Sequence, residues 1–195
     1  MGDHMQMARD MPARPGDAGK AEEIVKAARG GLARYPDSAS AERDGYKPFH
    51  ETGKLGEEVH FTNMRTAMAE ARHIDYEYPG SILFTRTNQG LRSVGVMYTA
   101  PGKSNAAELD DRAPLSKASW HRHVDFCFSS SGSQTDKAAG LGFTGIIHDE
   151  AACTKAGGYW LPLLFGWMTH ICPGRADPWN GEKMHAGSAV MTHQM

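Results

Sequence analysis

The chain has 195 residues, 21 Lys and Arg against 23 Asp and Glu, and a formal net charge of -2; with a mean hydropathy of -0.51, this is the profile of one soluble domain with a modest core. The near-zero charge balance and a pI near 6.5 argue against a protein built around the phosphate backbone of nucleic acid. The longest apolar stretch, Leu161 to Phe165 extended to Met168, is far short of the ~20 residues a membrane-spanning helix needs.

Residues 1–17 carry Pro12, Pro15 and Gly16 without apolar periodicity, which predicts a flexible arm. From Lys20 to Arg34 the apolar positions Ile24, Val25, Ala28 and Leu32 have helical spacing, interrupted by Gly30-Gly31. A short helix follows from Ser38 to Asp44, with Asp37 or Ser38 as N-cap and Gly45 as stop. Glu58 to Phe61 reads as a strand, and Thr62 or Asn63 caps a helix from Met64 to Arg72. Ser81–Thr85 and Arg92–Thr99 flank the turn residues Asn88-Gln89-Gly90 as a hairpin.

Pro101 to Pro114 is a polar connection with a helical turn near Asn105–Leu109. Trp120–Phe128 and Leu161–Ile171 are two more strands, separated by a loop and a helix from Glu150 to Ala156 that Gly157-Gly158 stops. Strands mixed with helices, without βαβ alternation, predict an α+β fold with a small antiparallel sheet. The domain spans 18–180, and 181–195 is a second flexible tail.

The two ends are chemically unusual. Residues 1–11 and 184–195 hold Met1, Met5, Met7, Met11, Met184, Met191 and Met195, where an even spread would leave about one methionine. His4, His185 and His193 accompany them. A cloning remnant accounts for Met1 to Met5 at most. Thioether and imidazole are ligands for copper and related soft ions.

Cys127, Cys153 and Cys172 contain no C-x-x-C pair, which removes the zinc-ribbon and thioredoxin signatures. Two arrangements remain: one disulfide with a free thiol, as in an exported protein, or three reduced buried thiols, as in the cytosol. Cys127–Cys153 is the favoured bridge, closing the Gly/Ser-rich loop Ser129–Gly140 and stabilising by about 3 kcal/mol. Residues 1–20 lack the apolar core of a signal peptide, so an exported chain would already have lost it.

Trp120 to Phe128 carries the most chemistry. Strand alternation puts His121, His123, Asp125 and Cys127 on one side and Trp120, Val124, Phe126 and Phe128 on the other, with Arg122 as the exception. An H-x-H strand lets two ring nitrogens converge on one ion, and a distant histidine completes a three-imidazole site. His60 and His170 are the further ligands, with Met168 on the same strand face as His170. Glu58 and Asp125 are candidates to hydrogen-bond the ligands. His50, His73 and His148 are weaker: His73 ends a helix, where it favours the dipole, and His148 precedes an N-cap. Gly140 to Gly145 matches G-x-G-x-x-G but follows a polar loop and lacks the later acidic residue, so it is not a dinucleotide site.

The segments Val59-His60-Phe61-Thr62-Asn63, Val96 to Pro101, Trp120-His121-Arg122-His123-Val124 and Phe165 to His170 resemble those of a functionally uncharacterised family of exported bacterial proteins with HFTN, WHxHV and GWMxH motifs. The resemblance covers roughly 35–171. It implies His- and Met-rich ends, a secreted or periplasmic setting, and motif status for His60, His121, His123 and His170. It also favours Cys127 and Cys153 as the bridged pair, leaves Cys172 as a feature of this chain, and supplies no activity.

The expectation is a periplasmic metal-binding protein, with copper as the ion and zinc or iron as alternatives. Its core site would be His60, His121, His123, His170 and Met168, its arms would capture the ion, and a metal-delivery protein would be its partner. The alternative is a metal-dependent enzyme, a zinc hydrolase or hydratase or an iron or copper oxidoreductase, using the same residues with an open coordination position.

Overall fold

The computed structural model describes residues 4–49, 54–129, 141–142 and 145–179. Along the chain lie β1 (Met5–Met7), α1 (Asp17–Ala33), α2 (Ser38–Arg43), β2 (Lys47–Pro48), β3 (Glu58–Thr62), α3 (Met64–Glu70), β4 (Ser81–Thr87), β5 (Gly90–Ala100), α4 (Ala106–Arg112), β6 (His121–Ser129), α5 (Glu150–Lys155) and β7 (Gly158–Ile171). The strands form one antiparallel sheet of order β1-β6-β7-β5-β4-β3-β2. The fold is α+β.

Four helices begin at residues that cap them. Asp37 accepts from Ser40 N, Asn63 from Arg65 N and Thr66 N, Asn105 from Glu108 N, and Asp149 from Ala152 N. Each bond satisfies an N–H that the first helical turn leaves unpaired. α1 runs unbroken through Gly30-Gly31 because Gly31 is a contact point: a Cβ there would meet Glu77 O at 2.6 Å. The pair that looks like a helix weakness in the sequence is what lets α1 approach the 77–79 loop.

Alternation sorts each strand into two faces. On the back face Val96, Tyr98, Ala100, Trp120, Trp167 and Ile171 pack with Ile24, Val25 and Ala28 of α1. Beside them Val59, Phe61, Ile82 and Phe84 meet Tyr35, Ala41 and Tyr46. Side chains of this size contribute ~1.5–3 kcal/mol each when fully buried, so the back face is the main source of stability. On the front face Leu83, Met97, Met168 and Cys172 form a smaller cluster.

Two local features depart from the sequence reading. Residues 5–7, assigned above to a flexible arm, form edge strand β1 in register with β6: Met5 faces His123, Gln6 faces Arg122, and Met7 faces His121. β1 occupies an edge of β6 whose backbone groups would otherwise stand open. It is pinned by Val124 N donating to His4 O (3.0 Å) and Ala8 N donating to Trp120 O (2.7 Å).

The alternation of β6 also breaks. Asp125 has φ 61, and this kink carries the Phe126 ring to 5.9 Å from His123 and 4.5 Å from His4. Cys127 turns away from the histidines and bonds Cys153 of α5. A non-glycine residue at positive φ is unusual, and the run of alternating residue types does not announce it.

Candidate metal centre

His60 comes from β3, His121 and His123 from β6 and His170 from β7. Their rings form a continuous series: His60 to His170 at 5.3 Å between centroids, His170 to His121 at 5.1 Å, and His121 to His123 at 5.4 Å. Two imidazoles sharing an ion at ~2.0–2.1 Å in tetrahedral geometry have ring centres about 5 Å apart. The spacing therefore suits shared ligation. Among the described residues, no three His, Cys, Asp or Glu groups already converge as a ligand set, so loading an ion requires the rings to rotate about their side-chain bonds.

The span from His60 to His170 is long in sheet terms. β4 and β5 lie between β3 and β7, and in a flat sheet three strand spacings would hold the two backbones about 14 Å apart. Rings that meet at 5.3 Å over this span lean toward each other across the strands between them. Gly95 lets its neighbours close in between them: a Cβ there would come within 2.8 Å of Cys172 Sγ and 3.1 Å of Leu83 Cδ1. Phe49, beside β3 through its N–H to His60 O (2.8 Å), meets Phe165 of β7 at 5.4 Å across the same span. Both phenylalanines are exposed at the surface.

Burial is graded. His121 and His170 are 0% and 2% exposed, whereas the side chain of His60 is 21% exposed. Glu58 Oε1 lies 3.4 Å from His60 Nε2, the carboxylate–imidazole pairing that orients a ligating histidine and raises its basicity. With Nε2 engaged by Glu58, Nδ1 is the nitrogen His60 would offer an ion. The second Glu58 oxygen is buried, with no hydrogen-bond partner among the described residues. Asp125 sits at the β6 kink, with φ 61.

Sulfur-bearing residues pair with two of the imidazoles across the sheet. Met168 pairs with His121 across β6 and β7, and Met97 pairs with His170 across β5 and β7. Both are buried, as is Cys172. Burial pushes the Cys172 thiol up to about 11, with nearby Glu58 adding to the rise and Arg175 opposing it. Met97, Cys172, Met5 and Met7 escape a sequence reading of the site. Met97 lies in a strand with an ordinary apolar pattern, Cys172 follows the end of β7, and only the pairing register shows which neighbours Met5, Met7 and Met97 face.

The weaker candidates lie elsewhere. His148 is 4.3 Å from His4, whose ring nitrogens face Val124 O at 3.2 Å and Gly145 O at 3.1 Å. His73 is exposed past the end of α3. His50 and the C-terminal Met184, His185, Met191, His193 and Met195 lie outside the described residues.

Arg122, the charged exception on the apolar side, stacks over Trp167 at 4.6 Å and donates to Gly102 O and Gln6 Oε1, both at 2.8 Å. Its guanidinium fastens the back of β1 to β6, on the face away from the histidines. No family model, no curated protein and no solved structure matches this chain.

Proposed function

We propose that this protein binds a metal ion, copper in the first place, on the front face of its sheet, with His60, His121, His123 and His170 as the imidazole set and Met168 as a soft ligand. The observation that carries the reading is the unbroken series of ring contacts from His60 through His170 and His121 to His123, at 5.1–5.4 Å. Mixed nitrogen and thioether donors select copper over hard cations. Glu58 supports the set by holding His60.

An exported, periplasmic setting belongs to the same proposal. The Cys127–Cys153 disulfide supports it, since such bonds persist in oxidising compartments. No helix among the described residues is long and apolar enough to cross a membrane. The Met- and His-bearing C-terminal segment would raise capture of the ion, and a metal-delivery protein is the partner that such a role implies.

The test is copper titration of the wild-type chain beside His121→Ala/His123→Ala. Loss of one tight equivalent in the double variant is expected. Unchanged stoichiometry and affinity in that variant would remove the sheet-face site.

A further inference from the structure

We infer that edge strand β1 is part of the metal site, with Met7, and Met5 beside it, supplying thioethers that make the site selective for a soft monovalent ion, Cu(I) or its surrogate Ag(I). This rests on the proposed metal-binding reading and names the ion that such a site takes.

The argument starts from register. Residues directly opposite in an antiparallel pair share a face, with Cβ atoms ~4.5–5.5 Å apart. Met7 is opposite His121, and His121 is in turn opposite Met168. One row across β1, β6 and β7 therefore reads thioether, imidazole, thioether. Met5 is opposite His123 in the next row. Gln6, between them, goes to the other face, where it accepts from Arg122 Nε at 2.8 Å. The alternation Met-Gln-Met thus aims both sulfurs at the histidines and gives the intervening residue the anchoring bond. Met5 and Met7 are partly buried and Gln6 is exposed.

Charge points to the same ion. The proposed ligands are neutral imidazoles and thioethers, with Glu58 the carboxylate in contact with them. Removing an ion from water costs free energy that grows with the square of its charge, and a buried charge needs compensation. Neutral soft donors around the fully buried His121 therefore tolerate a monovalent soft cation far better than Zn²⁺, Cu²⁺ or Fe²⁺, whose hydration they do not replace.

The experiment is an anaerobic competition titration with Cu(I) and a chromophoric Cu(I) chelator, with Cu(II) titrated in parallel. Every protein carries Met184→Leu, Met191→Leu and Met195→Leu to keep the C-terminal sulfurs out of the readout. Against this background, Met5→Leu/Met7→Leu is expected to weaken Cu(I) by roughly tenfold or more while leaving Cu(II) within about twofold. Cu(I) affinity within about twofold of the background would overturn the inference and leave the histidine site standing. Failure of the background protein to bind either ion at the sheet would overturn both readings. A second readout does not depend on the variants folding: in protein with ¹³C-methyl methionine, Ag(I) should shift the Met5, Met7 and Met168 methyl signals. Shifts confined to other methionines would contradict the assignment.

Discussion

Gly95 and Cys172 share one volume: a Cβ on Gly95 would stand 2.8 Å from Cys172 Sγ and 2.9 Å from Ile171 O. β5 and β7 are thereby held close beneath the gap that the His60 and His170 rings bridge. Gly95→Ala forces β7 outward, and overpacking of this kind costs about 1–3 kcal/mol. Denaturant unfolding should show that loss. Copper affinity should fall with it, because His170 lies two residues from Cys172 on the displaced strand.

Glu58→Gln removes the anion that holds His60 Nε2 at 3.4 Å while keeping the side chain's shape. Loss of a supporting carboxylate at a metal ligand costs about 10- to 100-fold in affinity. Titration with copper should show a drop in that range with the melting temperature little changed. An unaltered affinity would mean that His60 is oriented by other contacts.

Glu70 supplies a pH signature independent of metal. Its carboxylate accepts from Gly80 N, Thr99 N and Thr99 Oγ1, bonds that favour the ionised form. Burial outweighs them and raises its pKa from 4.5 to about 7. With the folded pKa above the unfolded one, the folded state holds the proton more tightly. This stabilisation is fully present below pH 4.5 and is lost as pH rises through 7. The full span amounts to about 3 kcal/mol. Unfolding free energies between pH 5 and 8 should fall in the wild type. Glu70→Gln should flatten that component of the slope while lowering stability at pH 5 by about 1–3 kcal/mol, since its amide NH₂ faces donors.

The disulfide Cys127–Cys153 closes a separation of 26 residues and ties β6 to α5. In the chain-entropy account a loop of this size contributes about 3 kcal/mol. Cys127→Ser/Cys153→Ser should lose about that amount in equilibrium unfolding. Cys172, fully buried and with its thiol pushed up to about 11, should resist alkylation at neutral pH until the chain unfolds, which mass spectrometry can follow.

Local chemistry made much of this fold legible. The caps Asp37, Asn63, Asn105 and Asp149 mark helix starts by side-chain hydrogen bonds that involve neighbours only. The hairpin at Asn88-Gln89 follows from turn chemistry between two apolar runs. What stayed hidden depends on contacts between distant segments. Nothing around Met5-Gln6-Met7 says that it pairs with residues 121–123, because three residues carry no strand signal of their own. Met97 looks like any core methionine until register sets it opposite His170. The bend at Asp125 is hidden because its φ of 61, a conformation aspartate adopts more readily than most non-glycine residues, leaves no mark on the alternation of residue types. Removing residues 1–17 would strip edge strand β1 from β6, so the proposed metal site would not separate cleanly from the N-terminal segment.

The most direct test of the metal centre is a crystal of the full chain loaded with one equivalent of copper, with anomalous scattering recorded at the copper edge. The account predicts a peak on the front face of the sheet at ~2.0–2.1 Å from ring nitrogens of His121 and His170, with His60 or His123 completing the set. Copper found only at the C-terminal methionines and histidines, with the sheet-face rings left as they are, would contradict it.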